Sequence, residues 1–263
     1  MALPFSSPGP ILLDLGFTQI RWYGLMTALG CLTGIYMAGA LLKYRAEKEN
    51  LEISFDDFSN FALVAVFTGI IGARLWFVLL NIQYYLQYPL ESYQIWLGGQ
   101  SIQGGLMGAI IGTWFYSKYF QKQANGKHLN IFTTELSSLA VAAPLGQAIG
   151  RWGNFFNEEA FGSVTELPWA LYISHTGKYH HPTFLYEMIW NLISFTILYS
   201  SHKKLKNLQC IGLYLILYSS GRIFIESLRT DSLYIGSIKA ASLISFLSLI
   251  AGLVLLLRRG KDQ

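Results

Sequence analysis

Five charged residues stand inside runs that are otherwise hydrophobic: Arg74, Arg151, Glu187, Arg222 and Glu226. A charge at the centre of a lipid bilayer costs from roughly 3 to more than 10 kcal/mol, so each of these groups implies a partner and a task. Arg222 and Glu226 are four apart, one helical turn, and can pair on one helix face. Such a pair could serve only to neutralise itself and lock helix packing. Three arginines set against two glutamates leave a cationic excess, however, and that excess implies an anionic ligand. Arginine, always charged and fork-shaped, is the side chain suited to gripping a phosphate in a dry site.

Arg151 lies in the stretch GRWGNFFNEEAFG, Gly150 to Gly162, which directly follows an apolar segment. Gly150 and Gly153 flank the arginine and would let a ligand approach the backbone closely. If the segment is helical, Asn154 faces the same way as Arg151, one turn on. Asn157, Glu158 and Glu159 follow where the chain leaves the apolar segment. Helical periodicity favours Glu158 over Glu159 as the partner of Arg151, but register at a helix end leaves both open.

These side chains are positioned by elements of membrane composition. The 263 residues are 52% hydrophobic and 13% charged, about half the charge of an ordinary soluble domain. Uncharged runs such as Trp22 to Leu42, Ser92 to Ser117 and Ala240 to Leu257 can each cross a hydrocarbon layer of about 30 Å as helix. Hydropathy and turn signals place spans near residues 19–42, 57–80, 101–118, 131–150, 182–200, 208–228 and 238–257. The expected fold is an all-α seven-transmembrane-helix bundle forming a single membrane domain over 1–263. Small residues four apart (Gly30 and Gly34; Gly104, Gly108 and Gly112; Gly146 and Gly150) read mostly as close helix packing in lipid.

Basic residues orient the bundle. Lys43, Arg45 and Lys48 follow the first span; Lys118, Lys122 and Lys127 the third; Lys203, Lys204 and Lys206 the fifth; Arg258, Arg259 and Lys261 the last. All fall on one side, which makes the N-terminus outside and the C-terminus cytoplasmic. Arg21, Arg74, Arg151, Lys178, Arg222, Arg229 and Lys239 lie in outer loops or within spans. The outer connection 151–181, long for a compact membrane domain, is expected to form part of a small outer head between spans four and five.

The first twenty residues have neither a basic leader nor a small-residue cleavage site, so the first span is expected to act as its own insertion signal. Cys31 and Cys210 both fall in apolar spans, where a disulfide would be unusual. No internal repeat is evident, which counts against a transporter built from two related halves. The basic residues are spread over four short segments, and no Cys/His cluster has ligand spacing, so neither nucleic acid nor metal is expected.

The GRWGNFFNEEAFG stretch closely resembles the signature of the prolipoprotein diacylglyceryl transferase family, bacterial membrane enzymes that move a diacylglyceryl group from phosphatidylglycerol onto the cysteine thiol of a lipoprotein precursor. RWYGLM (21–26), GARLWFVLLN (72–81), IWLGGQSIQGGLMG (95–108), HPTFLYE (181–187) and YSSGRIFIESLRTDSL (218–233) also look like that family, in its order, and together cover every span except the last. The resemblance implies a seven-helix bundle with an outer head in the bacterial cytoplasmic membrane, its active site toward the outer leaflet, and no cofactor. Its implied partners are phosphatidylglycerol, signal-peptide-bearing prolipoproteins and the bilayer. Arg151 resembles the family's phospholipid-binding arginine and Arg222 a second required arginine. Tyr23, Asn154, Glu159, Gly162 and Glu226 match other site positions. Arg74 and Glu187 match family motifs and are expected to give structural support.

One departure bears on mechanism. Many relatives carry histidine, and some tyrosine, where this chain has Gln103; Leu97 and Gln100 in the same loop also differ from the family pattern. The implied reaction is a displacement in which a thiolate attacks the terminal glyceryl carbon, a thioether forms and glycerol phosphate leaves. Arg151 and Arg222 would meet the charge on the departing phosphate. An ordinary thiol, with a pKa of about 8.5, is a few per cent ionised at neutral pH, so lacking a dedicated base costs only about 2 kcal/mol. Gln103 cannot accept a proton but can hydrogen-bond a lipid or peptide oxygen. Candidates for a base are His181, His180, His175, Glu159 and Tyr23; His181, before Pro182, reads first as a hydrogen-bonded interfacial histidine. His128 and His202 fall in inner loops and read as solvated. The competing reading is a diverged, non-catalytic relative that binds anionic phospholipid or precursors, with Gln103 as its mark.

Overall fold

A computed structural model describes residues 5–95, 98–121, 127–230, 234–235 and 238–258; Leu97, Lys122, Arg259 and Lys261 lie outside them. The described chain is mostly helical. After the short strands β1 (Phe5–Ser6), β2 (Ile11–Asp14) and β3 (Gln19–Arg21) come α1 (Trp22–Lys48), α2 (Phe55–Leu80), α3 (Ile82–Gln87), a 3-10 turn (Pro89–Tyr93), α4 (Ile102–Tyr119) and α5 (His128–Asn157). Strands β4 (Leu171–Ile173) and β5 (Lys178–His180) precede α6 (Thr183–Ser201) and α7 (Asn207–Leu228). The hairpin β6 (Tyr234–Ile235) and β7 (Ile238–Lys239) leads into α8 (Ala240–Leu257).

Seven described helices of eighteen or more residues therefore coincide with the seven apolar segments. Four of them, α1, α2, α7 and α8, are long and apolar enough to cross a membrane by length and composition. Helices α4, α5 and α6 do not reach the same mean hydropathy. Apolar side chains such as Phe67, Leu75, Leu80 and Phe224 stand exposed along the long helices, as hydrocarbon-facing groups of a membrane protein do.

Two boundaries differ from the hydropathy reading. Residues 19–21 are strand, paired antiparallel with β2, because Asp14 accepts hydrogen bonds from Gly16 N and Gln19 Nε2 and closes a tight turn. Helix α5 runs seven residues past the apolar limit to Asn157, so Arg151 and Asn154 are helical.

The chain forms two compact units, 39–136 and 1–38 with 137–263. In the first, Ser54 caps α2 by accepting from Asp57 N at 3.0 Å, one of the orphan donors of a helix start. Helices α2 and α4 pack backbone to backbone. A Cβ at Gly72 would stand 2.4 Å from Gly104 O, and one at Gly108 2.3 Å from Thr68 O. The small-residue stripe is thus a packing surface. The fully buried Glu135 is held by Gln121 Nε2 at 2.6 Å and Ser117 Oγ at 3.3 Å.

In the second unit Gly30 meets Gly146, where a Cβ on either residue would come within 2.5 Å of the other's carbonyl oxygen. Helices α7 and α8 approach through Gly212 and Gly252 in the same way. The connection after α5 is a three-stranded sheet in the order β1-β4-β5, with β1 parallel to β4. It is rooted on an apolar cluster of Phe155, Leu171, Ile173 and Phe184, joined by Phe5 and Trp152. Neither Cys31 nor Cys210 is in a disulfide.

Candidate active site

The sequence predicts Glu158 or Glu159 as the partner of Arg151; the structure assigns Glu187 instead. Glu187 of α6 places Oε2 2.6 Å from Arg151 Nε and Oε1 2.8 Å from Arg222 NH1. One carboxylate thus bridges two guanidinium groups carried by different helices. Its side chain is 7% exposed, so the bridge lies in a low-dielectric setting where charge pairing is strong and geometry matters. The two expected glutamates are turned elsewhere. Glu158 has φ 50°, which swings the chain off the helix, and its carboxylate accepts from Ser174 N at 3.0 Å and from the Ser174 hydroxyl. Glu159 accepts from Asn154 Nδ2 at 2.8 Å.

Arg222 and Glu226 do meet, as their spacing requires, with NH2 2.6 Å from Oε2. Arg222 is not consumed by that pair, because its NH1 reaches across to Glu187. A third arginine, Arg229, stands with NH1 3.8 Å from Glu187 Oε1. The residue that completes the arginine group is therefore Arg229 and not Arg74. Its signal was present in the spacing: 222, 226 and 229 form one helical stripe. Lys239 holds the end of this helix, donating to Glu226 O at 2.6 Å and Arg229 O at 3.1 Å, the satisfaction that terminal carbonyls need.

Arg151 Nε and one NH1 proton are engaged, the latter by Asn154 Oδ1 at 3.3 Å. Its remaining N–H groups have no partner among the described residues, and a quarter of its side chain is exposed (25%). Within the four-residue core, two guanidiniums face two carboxylates and balance. Arg229 beside Glu187 restores a cationic surplus, and Arg151 adds open N–H donors to it. Beside Gly150 there is open space, whereas a Cβ at Gly153 would stand 2.9 Å from the Tyr23 ring. Gly153 thus makes room for Tyr23 and not for a ligand.

A small pocket is lined by Arg151, Glu187, Arg222, Asn191, Trp190 and Tyr218. Trp190 is held by a hydrogen bond from Nε1 to Leu217 O at 2.8 Å and lies against Gly221, where any side chain would collide with its ring. Trp190 also lines a groove of about 570 Å³ between α6 and α7, walled by apolar side chains that include Ile189, Ile193 and Phe224. Sequence reasoning did not single out Trp190 or Tyr218, since aromatics abound in the chain.

Gly162 is a joint. Its N–H donates to His181 O at 2.9 Å, it pairs with Arg229, and a Cβ there would meet His181 Cβ at 2.8 Å and Leu228 O at 3.0 Å. His180 is buried, with Nδ1 2.7 Å from Gly162 O. His175 is exposed, 3.8 Å from Glu158. His181 Nδ1 lies 3.2 Å from the Tyr186 hydroxyl.

Arg74 and Gln103 belong to the other compact unit. Arg74 donates to four carbonyls, those of Ser92 (2.8 Å), Gly98 (2.6 Å), Gly99 (2.9 Å) and Glu91 (2.5 Å). It braces the segment between α2 and α4. Gln103 is exposed; its Oε1 accepts from Ser101 Oγ at 2.6 Å, which leaves its amide N–H groups to donate.

The fold and this cluster together define an integral membrane protein with a buried arginine–glutamate cluster beside an apolar groove. Residues 10–258 match the family described as Prolipoprotein diacylglyceryl transferase, and the chain belongs to that family. Among its relatives, the phosphatidylglycerol–prolipoprotein diacylglyceryl transferase of Fervidobacterium nodosum is 40% identical over 250 residues, 91% of this chain and 81% of the relative. Proteins of the same name from Synechocystis sp. and Thermotoga maritima are each 38% identical over 263 residues, covering 94% of this chain and 88% and 84% of theirs.

Proposed function

We propose that the chain transfers the diacylglyceryl group of phosphatidylglycerol to the lipobox cysteine of prolipoproteins, forming a thioether and releasing glycerol phosphate. The observation that carries this reading is the bridge Arg151–Glu187–Arg222, which holds two guanidiniums beside an apolar groove. An anionic lipid presents the complementary pair of surfaces, phosphate for the open N–H groups of Arg151 and acyl chain for the groove.

In the displacement, sulfur attacks the glyceryl carbon and the C–O bond to phosphate breaks. Preorganised guanidiniums stabilise the charge that gathers on the departing phosphate. Glu187 sets their separation, Asn154 and Glu159 steady Arg151, and Glu226 steadies Arg222. The same positive field favours the thiolate form of the incoming cysteine. Tyr23 and Gly162 shape the surroundings, and Gln103 offers its amide N–H groups to a lipid or peptide oxygen. His181, two residues before α6, is placed to support the site.

The topology of this reading is seven crossings within one membrane domain, N-terminus outside and C-terminus in the cytoplasm. The connection 151–181 then forms part of a head at the outer face, and the site opens to the outer leaflet of the bacterial cytoplasmic membrane. The test is reconstitution of the purified protein with phosphatidylglycerol and a lipobox peptide, followed by mass spectrometry for the diacylglyceryl increment. Binding of the lipid without product, under conditions where a histidine-bearing relative turns over, would establish the non-catalytic reading instead.

A further inference from the structure

Two neighbouring histidines, His180 and His181, face partners of opposite hydrogen-bonding character. His180 Nδ1 is 2.7 Å from the carbonyl oxygen of Gly162. A carbonyl only accepts, so this nitrogen carries the proton. His181 Nδ1 is 3.2 Å from the hydroxyl of Tyr186, and the same hydroxyl oxygen receives Trp169 Nε1–H at 3.0 Å. An indole N–H only donates. Were His181 Nδ1 also to donate to that oxygen, the phenolic proton would be left with no acceptor among the described residues, at the rim of an apolar groove that Tyr186 helps to line. One arrangement satisfies all three groups: Trp169 donates to Tyr186, Tyr186 donates to His181 Nδ1, and the imidazole proton resides on Nε2.

We propose that Trp169 and Tyr186 hold His181 as the Nε2–H tautomer, so that His181 offers the site a hydrogen-bond donor and not a proton acceptor. The backbone of His181 is held as well, since its carbonyl oxygen receives Gly162 N–H and its Cβ packs against Gly162. Tyr186 directly precedes Glu187 on α6, so the chain of donors is anchored in the same helical turn as the arginine bridge. A fixed Nε2–H suits an oxygen of phosphate or ester and cannot take the proton of a thiol. Trp169 and Tyr186 are positioning residues in this scheme. The identity of the oxygen rests on the proposed transferase reaction; the tautomer does not.

The test is ¹H–¹⁵N long-range correlation on the ¹⁵N-histidine-labelled full-length protein in lipid nanodiscs at mildly alkaline pH, with His180→Gln and His181→Gln used for assignment. Expected are opposite patterns for the two rings: Nδ1 protonated in His180, Nε2 protonated in His181. An Nδ1–H pattern or an even mixture at His181 would overturn the proposal. Tyr186→Phe should turn His181 into a mixture while His180, which reports that the fold persists, keeps its pattern. Trp169→Phe, an exposed substitution, should move His181 in the same direction by less. No change in either variant would also overturn it. In the turnover assay, His181→Gln, whose amide can donate from nearly the Nε2 position, should retain at least about tenfold more activity than His181→Ala; equal loss in the two would remove the donor role. Absence of turnover in the unmodified protein would count against the transferase reading alone and leave the tautomer to its spectrum.

Discussion

Arg74 and Arg151 are both arginines set in apolar helices, and their surroundings are opposites. Arg74 is 6% exposed, spends its guanidinium on four backbone carbonyls, and has the rings of Phe77 and Tyr85 at 5.9 and 5.4 Å from its central carbon. Four of its five N–H groups are committed to backbone. Arg151 meets one carboxylate and one amide oxygen and keeps open N–H groups beside a pocket. A guanidinium that ends on carbonyls builds structure, whereas one aligned by a carboxylate and left partly open is prepared for an anion.

That contrast can be broken by experiment. The largest effect is expected for Arg151→Ala or Arg222→Ala, which should lower the turnover of the folded protein by about 1,000-fold or more, although Arg222→Ala also strands the buried Glu226 carboxylate and lowers the melting temperature; normal turnover in either would end the assignment. Arg74→Ala should do the reverse. It leaves four carbonyls without their donor, at about 1–3 kcal/mol for each that stays buried, and should appear as a large fall in melting temperature, while any protein that remains folded still binds phosphatidylglycerol vesicles. Glu187→Gln keeps the shape of the bridge but removes its charge, so the two guanidiniums repel and their geometry loosens. A fall in kcat/KM of roughly 100-fold is expected, smaller than for loss of either arginine. Gln103→Ala should cost least, a few-fold in turnover, because its oxygen is already committed to Ser101; a loss rivalling that of Arg151→Ala would relocate the chemistry.

The features legible in the sequence were those with short range. Seven long helices followed from apolar runs, and the Arg222–Glu226 contact followed from a spacing of four. What stayed hidden needed contacts between distant segments. Glu187 read as support because nothing in HPTFLYE tells that α6 presents it to α5 and α7 at once. Glu158 and Glu159 looked nearer to Arg151 only along the chain, and a single positive φ at Glu158 removes them. Glu135, inside a predicted span, drew no notice, yet its burial is met by Gln121 and Ser117. Arg229 was visible by periodicity and was passed over as a loop cation. The second strand of the hairpin before α1 was masked because Gln19 to Arg21 runs straight into the first apolar segment.

The pairing of Phe5 and Ser6 with β4 has a practical corollary. Strand β4 also pairs with the strand that delivers His180 to Gly162, and Phe5 stacks on Phe155 with ring centroids 5.1 Å apart. Trimming Phe5 away, or pulling on it with a bulky fusion, would therefore be felt two strands further on, beside the arginines. Affinity handles belong at the opposite end of the polypeptide, beyond α8.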